Sequence, residues 1–256
     1  MTLGPDVAIL CHYAGDGAIR PDTLRYLLEV RAAGFSVVVV SNGGPLRPDA
    51  AAAVAWLGGI ALHRPNLGRD FSAWRMALRT LALPRPDTSR ILLINDSVYG
   101  PLAPLAPLLA RMTPQGADLW GLTDSLERRW HLQSYCLLAH AVLIRSAVWR
   151  QFWRNVVPLP FKRLMVRRYE VGLSRRIGNA GFRARALFPY ATLVPDAAIA
   201  NPTLGAWRAL LEAGFPFLKR ELLRDNPSGV ADLDAWRDLV PPAYAAEIEA
   251  DLRRTT

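Results

Sequence analysis

The chain has 256 residues, 51% apolar and 21% charged, a balance that excludes a disordered chain and suits one large α/β domain burying roughly three quarters of its unfolded surface. No apolar run approaches the roughly 18 to 20 residues of a membrane helix, and "MTLGPDVAIL" lacks the basic leader of a signal peptide, so a cytoplasmic protein is expected. A net charge of +9, in which only Lys162 and Lys219 of 31 basic residues are lysines, predicts affinity for phosphates, nucleotides or anionic lipid. Without a basic helix carrying interleaved aromatics, zinc-finger spacing or a ribonucleoprotein motif, nucleic acid is not expected as a partner.

In chain order, "VAILCHY" (7–13) reads as a first strand, and "RPDTLRYLLEVRAAG" as a helix with Leu24, Leu27, Leu28 and Ala32 on one face. "FSVVVVSN" is a second strand, apolar throughout as strands buried on both faces are. A helix over 50–57, a third strand in "GIALHRPN", a helix over 71–81 and a fourth strand in "ILLINDSVYGP" complete four alternations, which specify a parallel sheet with helices on both faces. After Pro101 a short Pro-rich helix, strands in "ADLWGLTDS" and "HLQSYCLLAHAVLIRS", a helix over 147–155, another within 161–178 and a last strand in "RARALFP" are expected. From about Asn201 the chain reads as a helical tail on the same domain.

Cys11 and Cys136, each in an apolar run, are expected as reduced core thiols, and Cys11 cannot pair with adjacent His12 because neighbouring strand residues face opposite ways. Gly15 and Gly17 fall short of a dinucleotide fingerprint, since Arg20 stands where the third glycine must let the helix approach the sheet.

Ligands of open α/β sheets bind outside the carboxyl ends of the strands. Asn42, the cluster Asn66, Gly68, Arg69 and Asp70, and the trio Asn95, Asp96 and Ser97 all fall at such ends and are the candidate donor-binding residues. Asp70 reads equally as a helix cap, whereas Arg69 has the geometry for a diphosphate. Asp96 ends an otherwise dry strand, where a carboxylate suits Mg²⁺ or Mn²⁺ against a diphosphate. On "HLQSYC", period two puts His131, Gln133 and Tyr135 on one face, which suits a sugar as well as it suits a half-exposed strand; Trp120 and Asp124 of "WGLTDS" stand near the same edge. Glu170 falls near a helix start, where the helix dipole favours an acid and where a general base could also sit.

"NLGRDF", "ILLINDSVYGP", "WGLTDS", "HLQSYCL" and "YEVGLS" occur in the order seen in the rhamnan synthesis F family, and the tail "NPTLGAWRALLEAGFPFLKRELLRDNP" resembles the end of that family's domain. The resemblance covers nearly the whole chain. It implies a GT-A type fold over 1–200 with a helical extension over 201–256 packed on it. It also implies a glycosyltransferase of cell-surface polysaccharide assembly, with dTDP-L-rhamnose as donor, a lipid-linked glycan as acceptor, and peripheral contact with the inner face of the cell membrane. Asp96 stands in the place of the metal-binding DxD motif, with Asn95 and Ser97 where that motif has its second acid. Glu170, followed by Arg175 or Arg176 and by Gly181-Phe182, matches the layout of the catalytic base in inverting relatives. A non-catalytic sugar-nucleotide or glycan-binding protein is the alternative. For the glycosyltransferase, Trp120, Asp124, His131, Gln133 and Tyr135 are the expected acceptor-binding residues.

Overall fold

The structure, a computed structural model, describes residues 3–194 and 200–255. Strands β1 (Asp6–His12), β2 (Ser36–Asn42), β3 (Ile60–Arg64) and β4 (Arg90–Asn95) alternate with helices α1 (Pro21–Ala32), α2 (Pro48–Trp56) and α3 (Arg69–Thr80). The strands lie in the order β3-β2-β1-β4, all parallel. Val7 to Leu10 and Val37 to Val40 are buried on both faces, as their unbroken apolar runs require. Register sets the rim: Cys11 lies level with Asn95 on β4, and Asn42 with Arg64 on β3.

The later strands are β5 (Val98–Tyr99), β6 (Leu119–Ser125), β7 (His131–Leu132), β8 (Cys136–His140), β9 (Ala184–Phe188) and β10 (Leu218–Lys219). β8 inserts antiparallel between β4 and β6, and β9 lies parallel to β6 at the far edge. This is the expected α/β class, a mostly parallel sheet flanked by helices on both faces. One core packs α3, α5 (Ala141–Ile144) and α6 (Ala147–Arg154) against one face, and the other packs α1, α2 and α4 (Ala106–Arg111) against the opposite face.

Beyond the sheet, the tail runs through α9 (Tyr190–Leu193), α10 (Pro202–Gly205), α11 (Trp207–Glu212), β10, α12 (Arg220–Asp225), α13 (Trp236–Leu239) and α14 (Pro242–Thr255). Tyr99, Trp207, Leu218, Leu222, Trp236, Val240 and Ile248 form a third core there. β10 pairs with β5, so the tail adds a two-stranded ribbon directly after the end of β4. Phe215, Phe217 and Leu218 of "GFPFL" are buried, so this apolar segment of the tail is core and offers nothing to a membrane. Among the described residues no helix is long and apolar enough to cross a membrane.

Three local expectations are corrected. "HLQSYC" is not one regular strand: Leu132 pairs with Asp124 and Leu137 with Gly121, so residues 133–136 oppose only 122–123 and form a wide bulge. Gln133 and Tyr135 still share a side, both turned toward Thr123, with Ser134 turned toward the helix bearing Glu170, but His131 leaves their face and lies with Ser134 beside Glu170. Glu170 does not open a helix. Helix α7 (Lys162–Met165) continues through a π-helical segment (Val166–Glu170) into α8 (Val171–Asn179), a local under-wound turn of the kind frequent at functional sites. Asp70 is no cap either, because α3 is preceded by Gly68 at φ 76° and Asp70 sits one position inside the helix. A Cβ at Gly68 would collide with Ser72 and Pro158, so this glycine serves backbone packing.

Candidate active site

Asp96 follows the last residue of β4 and gathers donors from β1 and the loop after it. Its Oδ2 accepts from His12 Nδ1 at 2.7 Å, the Tyr13 amide at 3.1 Å and Arg20 Nη2 at 3.1 Å. His12 Nε2 faces the Ala18 carbonyl at 2.8 Å, so both ring nitrogens meet oxygen acceptors, an arrangement that an imidazolium satisfies. Burial by itself would raise the Asp96 carboxyl, but the His12 bond, the charges of His12 and Arg20 and the Tyr13 amide outweigh it and hold the group below its ordinary value. Arg20, disqualified as a dinucleotide glycine, thus acts as an Asp96 partner.

The tail reaches the same place. Arg220 Nε donates to the Asp96 carbonyl at 2.8 Å, its guanidinium also binds Asp22 and, at 2.8 Å, Asp251, and it lies 4.0 Å above the Tyr99 ring. Lys219 Nζ donates to Ser97 Oγ at 3.1 Å and sits 4.1 Å above the Tyr135 ring.

A second polar cluster ties the ends of β1, β2, β3 and β4 to α3. Asn95 Nδ2 donates to Asp70 Oδ2 at 2.8 Å, Cys11 Sγ to Asp70 Oδ1 at 3.3 Å, Asn42 Nδ2 to Cys11 Sγ at 3.0 Å, and Arg64 Nη1 to Asn42 Oδ1 at 2.9 Å. Asn95 Oδ1 in turn accepts from the Ser97 hydroxyl at 2.6 Å. Burial raises both the Asp70 carboxyl and the Cys11 thiol, which makes Cys11 a hydrogen-bonding node without nucleophilic character. Asn42 and Asn95 are buried members of this cluster, and Arg69 is exposed, at φ 52°.

Glu170 stands opposite. Its Oε1 accepts from Ser134 Oγ, and His131 Nε2 lies 3.6 Å from Oε2 while His131 Nδ1 meets the Arg129 carbonyl at 2.8 Å. The charge of Glu170 acts on both Lys219 and Asp70, so it belongs to the same rim. The remaining acceptor candidates separate from it. Thr123 Oγ1 contacts Gln133 Oε1 and Tyr135 Oη, each at 2.7 Å, and Gln133 also binds Asn201 and Thr203, which makes the two residues internal struts. Trp120 and Asp124 line a different cleft of about 510 Å³ with Arg111, Trp130 and Arg185.

A cleft of about 570 Å³ opens at the carboxyl ends of β1, β2 and β3, lined by Tyr13, Gly15, Gly43, Gly44, His63, Arg64, Pro65 and Asn66. Tyr13, 50% exposed, offers a ring on which a base could stack, and Asn66 offers an amide. Of the donor candidates Asn66 lines this cleft, while Asp96, just past the end of β4, holds the amide of its lining residue Tyr13. His12, Tyr13, Arg20, Arg64, Arg220 and Lys219 were not singled out from sequence. "LCHY" ends β1 at the same rim that marked the other clusters, which is the signal that could have found the first two.

As a metal site Asp96 is poorly furnished. One carboxylate oxygen carries three donors, one of them a guanidinium, and among the described residues no group of three or more His, Cys, Asp or Glu could hold an ion. The residues around Asp96 therefore do not fit Mg²⁺ or Mn²⁺, whose sites are built from several free oxygen ligands.

The match described as "Rhamnan synthesis protein F" spans residues 37–235, more than half of the chain. The chain belongs to that family. Virulence protein VirA of Vibrio anguillarum is 27% identical over 203 residues, 68% of this chain and 65% of that protein, so the match spans somewhat less than two thirds of this relative. A cytidylyltransferase structure from Leptospira borgpetersenii superposes with TM-score 0.43 at 11% identity over 73% of this chain and 76% of that one. Glucosyl-3-phosphoglycerate synthase of Mycobacterium tuberculosis, in complex with Mn²⁺ and UDP, superposes with TM-score 0.36 at 14% identity over 54% of this chain and 58% of that one.

Proposed function

We propose that this rhamnan synthesis F protein is an inverting glycosyltransferase that moves L-rhamnose from dTDP-L-rhamnose to a hydroxyl of a lipid-linked cell-surface glycan. The observation that carries the reading is Glu170: a carboxylate aimed by a π-helical segment at the rim where Asp96 and Lys219 stand, and bonded there to Ser134. In the proposed reaction Glu170 takes the proton of the acceptor hydroxyl as its oxygen attacks the anomeric carbon. The bond from that carbon to the diphosphate breaks on the opposite side, and its electron pair leaves with the nucleoside diphosphate. Tyr13 and Asn66 would hold the base and ribose in their cleft. Ser134 and His131 orient the carboxylate, as second groups commonly do for a general base.

A membrane surface suits the same reading. Phe161 and Leu164 are 66% and 44% exposed at the start of the helical run that ends on Glu170, and Arg163, Arg167 and Arg168 are exposed along it. Apolar side chains among arginines match an anionic lipid interface, and they would bring a lipid-borne acceptor up to Glu170. The deciding experiment supplies dTDP-L-rhamnose and a lipid-linked acceptor to the wild type and to Glu170→Gln. Transfer by the wild type and its loss in the variant are expected; equal transfer by both refutes the assignment of the base.

A further inference from the structure

Lys219 is a cation without a counter-ion beside two, Arg20 and Arg220, that have theirs. Arg20 binds Asp96, Arg220 binds Asp22 and Asp251, and Arg64 is bonded to Asn42 and the Leu67 carbonyl. Lys219 forms no ion pair among the described residues, and its one hydrogen bond goes to the Ser97 hydroxyl. An ammonium has three N–H donors, so two remain for a ligand. The tail delivers this group by pairing Lys219 with Val98, which fixes it beside the end of β4. In a chain with 31 basic residues and two lysines, a flexible point charge stands here rather than a planar guanidinium.

Burial costs such a cation. It pushes the Lys219 ammonium down to about 8, against the favourable charges of Glu170, Asp70 and Glu221, and the Tyr135 face beneath it offsets only part of that cost. An unpaired, part-buried ammonium is what a site awaiting a polyanion would keep. The metal position supplies the complementary observation: Asp96 already has Arg20 and His12 on its outer oxygen, so a divalent cation would have to compete with a fixed positive charge.

On the reading that the protein takes a nucleoside-diphosphate donor, we infer that Lys219, supported by Arg20, supplies the positive charge to the donor diphosphate that a metal ion supplies in DxD enzymes. As the bond between the anomeric carbon and the β-phosphate oxygen breaks, its electron pair stays on that oxygen, and the Lys219 N–H groups donate to the diphosphate as its charge grows. No proton needs to move and no further reactant is required. Lys219 thereby joins Glu170 as a catalytic residue, contributed by the tail rather than by the sheet.

Titration calorimetry with dTDP, UDP and thymidine, in EDTA and separately in Mn²⁺, tests this on the wild type and on Lys219→Met. The expected result is that the wild type binds a nucleoside diphosphate in EDTA within threefold of its affinity in Mn²⁺. K219M should bind that diphosphate at least tenfold more weakly, with thymidine affinity unchanged. A collapsed site would lose thymidine as well; should K219M behave so, Lys219→Gln replaces it, and the chelator comparison on the wild type stands by itself. Wild-type diphosphate binding that appears only with Mn²⁺, or equal binding by wild type and K219M, overturns the inference and leaves the donor reading intact. A wild type that binds neither diphosphate under either condition overturns both.

Discussion

Asp96 holds an imidazole, a backbone amide and a guanidinium on one oxygen, whereas Glu170, across the same rim, meets a serine hydroxyl and a more distant imidazole. The first arrangement favours the ionised form, which suits a fixed charge rather than a proton acceptor. The second leaves a carboxylate oriented but lightly held, which is what proton removal from an acceptor needs. Two acids on one rim are thus sorted by their partners rather than by residue type.

The sharpest way to break this contrast is Glu170→Gln, which keeps shape and the Ser134 bond but cannot accept a proton. Transfer should fall about 1000-fold while dTDP affinity stays within twofold, read by steady-state transfer and calorimetry. Asp96→Asn attacks the other side. Removing one charge of a part-buried cluster leaves His12 and Arg20 facing a neutral amide, and urea unfolding should show a loss of about 3 kcal/mol at neutral pH. Because the folded Asp96 titrates below its ordinary 3.8, its contribution is fully present above that value and is lost as pH falls through the folded one, so the gap between wild type and D96N should close below about pH 3.8.

Smaller effects sharpen the picture. Ser134→Ala removes one hydrogen bond to Glu170, worth about 1 kcal/mol, and should lower kcat about fivefold with KM for the donor unchanged. Lys219 moves stability with pH in the same direction as Asp96, in an alkaline window. With its folded value lowered to about 8 from 10.5, the unfolded chain binds the extra proton between those values, so wild-type stability should rise over that pH window, and K219M should lack the rise. Least of all, Phe161→Ser should weaken flotation with anionic liposomes a fewfold without changing turnover on a soluble acceptor.

The parallel half of the sheet was legible because its signal is local. "VAILC", "VVVV" and "ILLI" are dry runs between amphipathic helices, and the rim rule then pointed to Asn42, Asn66, Asp70 and Asp96 before any coordinates. What sequence could not give depends on partners far along the chain. Arg220 meets Asp22 across 198 positions and Lys219 meets Ser97 across 122, and neither carries a motif. The bulge over 133–136 broke the period-two reading of "HLQSYC" at His131, which lies with Ser134 beside Glu170 while Gln133 and Tyr135 share Thr123, because residues outside the regular ladder do not keep its alternation. The π-helical segment before α8 is likewise silent in the pattern, because an apolar stripe of Met165, Tyr169, Leu173 and Ile177 reads as an ordinary helix over the same span.

The Arg220 cluster also bears on how the molecule can be cut. Residues 37–235, the span of the family match, omit β1 with His12, α1 with Asp22, and α14 with Asp251. A fragment with those ends would leave Arg220 without either carboxylate and Asp96 without its imidazole, and it would expose the flanks of β2 and β4 where β1 belongs. Boundaries drawn from the recognisable part of the sequence would therefore yield an aggregating fragment, and a folding unit must include both the first strand and the last helix.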